Sequence, residues 1–250
     1  MSIEEIKAVA PDIDSHYEIV DGVRMPVKIY LNDSDVMVLA IHGGGWTAIK
    51  EDSDSWDGSW MNFQAQYYAK KGFNAAAISY RSIDFSDETD VFDLIDDCKK
   101  AVKFIREKCS FKKLVVMGDS AGGHLALELA FDESMDVDIV VALNPVVDCT
   151  CEPWKKIAKT DAELKAASPL FNVKKLDTKF LFIHGYADTV VDYRTVLELH
   201  HKMEAVGNDS EFIGIDGAKH AFILQNYQST DEEITKYMGI IDDYLREKKI

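Results

Sequence analysis

The sequence is poor in cysteine and proline and has no long hydrophobic run. Of its 250 residues, 4 are Cys and 5 are Pro. The cysteines form neither a C-x-x-C pair nor a Cys/His pattern with metal-ligand spacing, so we expect reduced thiols, no metal ion and no thiol nucleophile. No segment approaches the roughly 18 uninterrupted apolar residues that suggest a membrane span, and the first residues lack the basic start and apolar stretch of a signal peptide. These absences predict a cytoplasmic protein.

Positive charge is also scarce. Lys and Arg total 28 against 44 Asp and Glu, which gives a formal net charge of −16. Nucleic acids and anionic membranes attract the opposite sign, so neither is expected as a partner. The chain is 47% hydrophobic, contains no Gly/Ser linker or short repeat, and is long enough to bury a sizeable core. We expect one domain over residues 1–250, and a homodimer is compatible with this sequence.

Two patterns indicate the fold. In HYEIVDGVRMPVKIY (residues 16–30), Asp21-Gly22 lies between two apolar-rich runs, which is a strong hairpin signal because a type I′ turn needs positive φ. Downstream, strand-like and helix-like segments alternate. The predicted strands are 36–42, 74–80, 113–120, 138–146, 179–185 and 211–216, and the predicted helices are 90–108, 121–131, 193–207 and 234–249. Apolar strands alternating with helices predict an α/β fold with a mainly parallel sheet covered on both faces.

One long irregular segment separates two of these strands. It covers residues 146–171 and is too short for a second domain. A small lid insertion over a site and a surface excursion are equally compatible with such a segment.

A candidate nucleophile lies at a predicted strand-to-helix junction. Gly118-Asp119-Ser120-Ala121-Gly122 has the G-x-S-x-G spacing. A sharp turn that exposes a serine hydroxyl needs small flanking residues so that the strand and the helix can approach each other. Ser120 would then lie at a helix N-terminus, where backbone N–H groups favour developing negative charge. An ordinary helix cap is the competing interpretation of Ser120.

Serine is a weak nucleophile at neutral pH and needs a base, which a third group must orient. Asp188 and His220 each follow a predicted strand, so they fall at the same edge of a parallel sheet as Ser120. The order Ser, Asp, His is the one expected for such a site. Asp192 is the nearest rival for the acid, but it lies further from its strand.

The other histidines receive structural interpretations. His124 follows Ser120 by one helical turn and is interpreted as a packed helix residue rather than a second base. His184 ends a strand and is expected to brace the loop that carries Asp188. His16, His200 and His201 are expected to be solvated.

Three consecutive glycines follow the strand at residues 36–42. Ester hydrolysis passes through a tetrahedral oxyanion, and glycines let backbone N–H groups approach such a charge closely. Gly43 and Gly44, together with Ala121, are therefore the predicted donors of an oxyanion hole.

These motifs resemble those of the α/β-hydrolase carboxylesterases, especially the hormone-sensitive-lipase-like and BD-FAE-like acetyl and feruloyl esterases. The residues that carry the resemblance are His42-Gly43-Gly44-Gly45-Trp46, Gly118 to Gly123, His184-Gly185-x-x-Asp188 and Lys219-His220-Ala221-Phe222. The resemblance covers almost the whole chain.

The resemblance implies an eight-stranded, mostly parallel sheet and an acyl-enzyme mechanism with no metal or organic cofactor. It also implies that His42 orders the oxyanion loop and is not a base. The chain departs from the family in two respects. Asp192 replaces the proline that often follows the valine of the acid loop, and the large N-terminal helical cap of many hormone-sensitive-lipase-like members is absent, which argues against long-chain lipid substrates.

Four tryptophans are candidates for substrate contact. Trp46, Trp56 and Trp60 fall on or beside the glycine loop, and Trp154 falls in the 146–171 segment. Aromatic faces there can stack on a sugar or an aromatic acyl group, or can anchor loops by packing. The acidic stretch at residues 51–57 disfavours anionic substrates.

The sequence therefore predicts a serine carboxylesterase that removes short acyl groups from neutral esters. The resemblance extends this prediction to acetyl or hydroxycinnamoyl esters of plant-derived sugars. A kynurenine formamidase-like aryl formamide hydrolase shares the loop type and the order of catalytic groups. A non-catalytic ligand-binding protein on a hydrolase scaffold is the alternative from another class.

Overall fold

An eight-stranded sheet forms the centre of the molecule, in a computed structural model that describes residues 1–47, 61–225 and 227–250. The strand order is β1-β2-β4-β3-β5-β6-β7-β8. β1 and β2 pair antiparallel, as do β2 and β4, and all the other neighbours are parallel. The strands are β1 (Ile13–Val20), β2 (Val23–Tyr30), β3 (Val36–Ile41), β4 (Asn74–Ile78), β5 (Lys113–Asp119), β6 (Ile139–Leu143), β7 (Lys179–Gly185) and β8 (Ser210–Ile215). The predicted α/β class and the mainly parallel sheet are confirmed.

The predicted hairpin joins β1 and β2. Asp21 and Gly22 have φ of 47° and 84°, the positive values that a type I′ turn requires at both central positions. Val20 pairs with Val23 directly beyond the turn. The Asp-Gly signal therefore identified both the turn and the register of the ribbon.

Helices cover both faces of the sheet. Alternate residues of β3 point to opposite faces, and each set is buried. One face packs against α3 (Val91–Lys108), α4 (Ala121–Phe131) and α6 (Tyr193–Ala205), and the other against α1 (Ile3–Lys7), α2 (Asn62–Lys70) and α7 (Asp231–Glu247). No helix in the described part of the chain is both long enough and apolar enough to cross a membrane.

The segment at residues 146–171 is more regular than the sequence suggested. It contains short 3-10 helices at Trp154–Ile157 and Pro169–Phe171, with α5 (Asp161–Ala166) between them. Thr160 and Glu163 form a reciprocal capping box at the start of α5, a signal that the sequence does contain. Ile157, Leu164, Ala167 and Leu170 are all buried against the body of the protein.

A buried ion pair connects the loop after β4 to α3. Arg81 Nε and Nη2 donate to the two carboxylate oxygens of Asp97 at 2.8 and 2.7 Å, and the Arg81 backbone N–H also donates to this carboxylate at 3.0 Å. The Asp97 side chain is 0% exposed. A charge at this depth is tolerated only while its partners are present, because they replace the water that it has lost.

Replacing Asp97 with Ala should lower the free energy of unfolding by about 3–5 kcal/mol, because it leaves the Arg81 guanidinium without its buried partner. Urea denaturation monitored by circular dichroism measures this loss. Asp96→Ala is the matched control on the same helix, since Asp96 is half-exposed and pairs with Lys100, and it should cost about 1 kcal/mol or less. Equal losses in the two variants would contradict the stabilising role of the buried pair.

Candidate active site

The predicted site residues meet at one edge of the sheet. The glycine run follows β3, Ser120 follows β5, Asp188 follows β7 and His220 follows β8. These strands are parallel, so their carboxyl ends lie at the same edge, where ligand clefts of α/β proteins form. The topology therefore brings together groups that are far apart in the chain, with Ser120 and His220 separated by 100 residues and the glycine run earlier still.

Ser120 occupies a strained turn between β5 and α4. Its φ is 55° and its ψ is −117°, values that are rare for a residue with a side chain. The helix after the turn lies against β3, and a Cβ at Gly122 would be only 2.2 Å from the carbonyl oxygen of Ile41. Glycine is therefore required at position 122 for the helix to come this close, which is the steric reason for the G-x-S-x-G spacing.

A continuous hydrogen-bond chain connects the three predicted catalytic residues. The distance from Ser120 Oγ to His220 Nε2 is 2.9 Å, and that from His220 Nδ1 to Asp188 Oδ2 is 2.7 Å. Asp192 lies outside this chain, since its carboxylate caps α6 and pairs with Arg194. The geometry therefore selects Asp188, rather than Asp192, as the partner of the histidine.

Asp188 lies in a pocket rich in hydrogen-bond donors. Its Oδ1 accepts from the backbone N–H groups of Val190 and Val191 at 2.8 and 3.0 Å, and His184 Nε2 lies 3.1 Å from its Oδ2. Burial raises the pKa of this carboxyl, but the hydrogen bonds from His184, His220 and Val191 outweigh burial and hold the pKa well below its usual range. Asp188 is therefore ionised at neutral pH and holds the proton of His220 on Nδ1, which leaves Nε2 free to accept from Ser120.

Burial and nearby negative charge shift the pKa of His220 in opposite directions. Burial lowers its pKa, but the hydrogen bond that Nδ1 donates to Asp188 and the negative charges of Asp119 and Asp188 outweigh burial, so the pKa is raised above the ordinary value for histidine. This increased basicity suits a group that must take a proton from a serine hydroxyl.

Asp119 is a member of the site that the sequence analysis did not single out. It precedes Ser120, is buried, and contributes to the wall of the cavity described below. Its Oδ1 has no hydrogen-bond partner among the described residues. Burial raises the pKa of this carboxyl to about 7. Asp119 occupies the variable position before the serine of the G-x-S-x-G motif. The motif alone does not predict that the residue at this position is buried.

The glycine loop packs against the serine turn. A Cβ at Gly43 would be 2.6 Å from the carbonyl oxygen of Asp119. The Tyr80 hydroxyl donates to the carbonyl oxygens of His42 and Gly43 at 2.9 and 3.1 Å, and His42 Nδ1 also donates to the Gly43 carbonyl at 2.8 Å. Burial lowers the pKa of His42 to about 4, so it is a neutral hydrogen-bonding residue at the pH of most assays.

A largely apolar cavity of about 500 Å³ opens over Ser120 and His220. Its size is within the range of small-molecule sites. The lining includes residues from the glycine loop, the acid loop and the segment after His220. Among the described residues, it consists of Gly44, Gly45, Asp119, Ser120, Trp154, Val190, His220, Ala221, Leu224, Gln225 and Tyr227.

The candidate tryptophans differ in position. Trp154 lines the cavity, whereas the Trp46 side chain is fully buried and packs edge-on against Trp154, with ring centroids 5.5 Å apart. Trp56 and Trp60 lie outside the described residues. Of the two described tryptophans, only Trp154 therefore offers a surface to a ligand.

Among the remaining histidines, His16 and His200 are more buried than the sequence suggested, whereas His201 is exposed as expected. His124 and His184 are both fully buried. His200 and His16, expected to be solvated, are only partly exposed, and His200 Nδ1 is 2.8 Å from Ser210 Oγ. Within the described segments, the one cluster of metal-ligand type is His200, His201 and Glu204 on α6, outside the lining of the Ser120 cavity.

Known proteins provide an independent comparison. The BD-FAE family model matches residues 27–149, which include the glycine loop and the serine turn. Among solved structures, apo Thermogutta terrifontis esterase 2 is 24% identical with a TM-score of 0.81, and the alignment covers 94% of each chain. The same esterase phosphoramylated by tabun is 25% identical with a TM-score of 0.79, again over 94% of each chain.

The butyrate-bound form of that esterase is 25% identical with a TM-score of 0.76, and the alignment covers 94% of this chain and 93% of the other. The comparison with curated proteins gave no significant sequence match. The matched family, the similar esterase fold and the serine turn agree with one another. The chain therefore has the α/β-hydrolase fold and is a serine hydrolase of the carboxylesterase class, similar to the BD-FAE family over residues 27–149.

Proposed function

We propose that this chain hydrolyses short-chain acyl esters through a Ser120–His220–Asp188 triad and an acyl-enzyme. The observation that carries the proposal is the unbroken hydrogen-bond chain from Asp188 Oδ2 through His220 to Ser120 Oγ, at distances of 2.7 and 2.9 Å. A nucleophile, a base and an orienting carboxylate in this arrangement are what acyl transfer requires.

In the first half of the reaction, Ser120 Oγ attacks the ester carbonyl carbon while His220 Nε2 takes the hydroxyl proton. The carbonyl electron pair moves onto oxygen and forms a tetrahedral oxyanion. When the intermediate collapses, the bond to the alcohol oxygen breaks and His220 returns its proton to that oxygen. The alcohol leaves, and the acyl group remains on Ser120.

Water then replaces serine as the nucleophile. His220 takes a proton from the water as its oxygen attacks the acyl carbon, and returns the proton to Ser120 Oγ when the second intermediate collapses. The carboxylic acid leaves and the enzyme is restored. Asp188 stabilises the imidazolium that forms in both halves without accepting its proton.

The proposed oxyanion hole consists of the backbone N–H groups of Gly43, Gly44 and Ala121. Ala121 is the first residue of α4, and the first N–H groups of a helix have no partner within the helix. Gly43 packs against the serine turn and Gly44 lines the cavity. The glycine loop and the helix terminus therefore approach the serine from two sides, as a site for a developing anion requires.

The cavity supports a neutral, modest-sized substrate. Its walls are mainly apolar, and Asp119 would repel an anionic ligand when it is ionised. Propionate and butyrate are bound in structures of the similar Thermogutta terrifontis esterase. Within this class, we propose acetyl or hydroxycinnamoyl esters of sugars, with Trp154 as the aromatic surface available for stacking.

We also propose that residues 1–250 form one domain and that the protein is cytoplasmic. One sheet contains every strand in the described residues. The four cysteines are free thiols, which suits a reducing compartment.

Hydrolysis of p-nitrophenyl acetate, butyrate and octanoate and of methyl ferulate tests the activity, with Ser120→Ala as the blank. Rates should fall as the acyl chain lengthens, because the cavity is small, and should drop at least about 10³-fold in the variant, which lacks the nucleophile. Initial rates at matched protein concentration measure both effects. Wild-type rates in the Ser120→Ala variant would contradict the proposal. Turnover of N-formylkynurenine and of none of the esters would identify a formamidase instead.

The two candidate acids can be separated by isosteric substitution. Asp188→Asn should lower kcat about 10⁴-fold, because an amide cannot stabilise the imidazolium or hold the required tautomer. Asp192→Asn is the matched control and should leave kcat within about threefold, since Asp192 caps α6 and pairs with Arg194 outside the hydrogen-bond chain. Steady-state kinetics on p-nitrophenyl acetate decide between them, and a larger loss in Asp192→Asn would reverse the assignment.

Asp119→Asn should move the acidic limb of the pH profile of kcat/KM to lower pH. His220 must be neutral to act as the base, so activity falls as the pH drops through its pKa. The negative charge of Asp119 helps to raise that pKa, and removing the charge lowers it. The measurement is kcat/KM between pH 5 and 9, with Asp192→Asn as the control. An unchanged limb, or one moved to higher pH, would exclude this coupling.

A further inference from the structure

Trp46 ends the glycine loop in an unusual backbone conformation. Its φ is 62°, a value that is rare for a bulky side chain and costs about 1–3 kcal/mol. Its indole is 0% exposed. The surrounding structure must therefore hold this residue in place, and its backbone carbonyl is anchored by the N–H of Ile83 at 2.8 Å.

The indole of Trp46 is hydrogen-bonded to His124. Trp46 Nε1 donates to His124 Nδ1 at 3.2 Å, and His124 Nε2 donates to the carbonyl oxygen of Ala167 at 2.7 Å. An indole N–H can only donate and a carbonyl can only accept, so the two partners fix the proton on Nε2. Glu128 Oε1 lies 4.0 Å from Nε2, too far to compete with Ala167. Burial lowers the pKa of His124 to about 4, which keeps the ring neutral during catalysis.

The partners of this ring belong to two different parts of the active site. Trp46 is the continuation of the glycine loop, and Ala167 belongs to the 146–171 segment. The same segment carries Trp154, which lines the cavity and packs edge-on against Trp46. His124 itself lies one helical turn after Ser120, on the helix that starts at the nucleophile. One buried ring therefore joins the glycine loop, the cavity wall and the nucleophile helix.

We propose that His124 is a positioning residue, which fixes the oxyanion loop through Trp46 and ties it to the cavity wall through Ala167. This inference rests on the proposed esterase function. Loss of the His124 side chain would displace the loop and weaken contacts that strengthen as the oxyanion forms. It should therefore lower kcat more than it raises KM. It also follows that the 146–171 segment is fixed to the body near Ala167 and does not open there as a lid.

Four variants separate this role from simple packing. His124→Leu keeps an apolar side chain of similar bulk and removes both hydrogen bonds. His124→Gln supplies an amide oxygen and an amide N–H in place of the ring acceptor and donor. Trp46→Phe removes the indole N–H and retains an aromatic ring. The double variant Trp46→Phe/His124→Leu completes a double-mutant cycle.

In steady-state assays with p-nitrophenyl acetate, His124→Leu and Trp46→Phe should each lower kcat about 10-fold to 100-fold with less than about threefold change in KM, as expected for a small displacement of catalytic groups. The kcat of the double variant should be no lower than that of the less active single variant, because both changes break the hydrogen bond between Trp46 and His124. His124→Gln should recover part of the lost kcat. Ser120→Ala provides the blank, and circular dichroism confirms that each variant is folded.

Exchange of the Trp46 indole proton gives a readout independent of activity. The indole N–H signal is assigned by its absence in Trp46→Phe, and it should exchange with deuterium slowly in the wild type and in His124→Gln but faster in His124→Leu. Should His124→Leu fail to fold, the kcat of Trp46→Phe, together with the kcat and the indole exchange of His124→Gln, decides the question.

Three outcomes would overturn the inference: unchanged kcat in a folded His124→Leu variant, kcat losses that multiply in the double variant, or a Trp46 indole proton that exchanges equally in the wild type, His124→Gln and His124→Leu. The proposed function fails separately, when the wild-type protein hydrolyses none of the esters. An active wild type with a fully active His124→Leu variant contradicts only the role of His124.

Discussion

The close approach of the glycine loop, β3 and α4 is the constraint on which the site depends. A Cβ at position 122 would lie only 2.2 Å from the Ile41 carbonyl oxygen, and a Cβ at position 43 only 2.6 Å from the Asp119 carbonyl oxygen. This contact brings the helix N-terminus, the strained serine and the loop N–H groups into one small volume. Larger side chains at either position would separate them, and the proposed oxyanion hole would lose its donors even with the proposed triad intact.

The two carboxyl groups near His220 have very different pKa values. Asp188 is held ionised by several hydrogen bonds, while Asp119, which lacks such donors on Oδ1, has a pKa of about 7 because of burial. Two carboxyl groups beside the same imidazole therefore differ in their protonation near neutral pH. Such a separation of pKa values within one site is typical of enzymes that use their acidic groups for different tasks.

The sequence predicted the features that local chemistry determines. The Asp21-Gly22 turn followed from the need for positive φ, and the strand-end positions of Ser120, Asp188 and His220 followed from the alternation of strands and helices. α2 was missed because its buried residues surround the helix and show no amphipathic pattern. Within 146–171, the short helices depend on contacts of Ile157 and Leu164 with distant parts of the chain.

Side-chain environments were harder to predict than positions. Trp46 is buried, whereas Trp154 lines the cavity. This difference between two tryptophans depends on where the 146–171 segment packs. His124 was interpreted as a packed helix residue, and its burial agrees with that interpretation. Its two hydrogen-bond partners could not be predicted, since Trp46 and Ala167 are distant from it in sequence and become neighbours only in the folded sheet.

The order of the strands has a consequence for how activity arises during synthesis. The nucleophile and its base are separated by 100 residues, and β6 lies between the strands β5 and β7 that carry Ser120 and Asp188. A chain emerging from the ribosome thus exposes its serine long before residue 220 has been made. Because domains fold as units, an incomplete chain carries Ser120 without the proposed base, and the proposed hydrolysis requires the last strand to have joined the sheet.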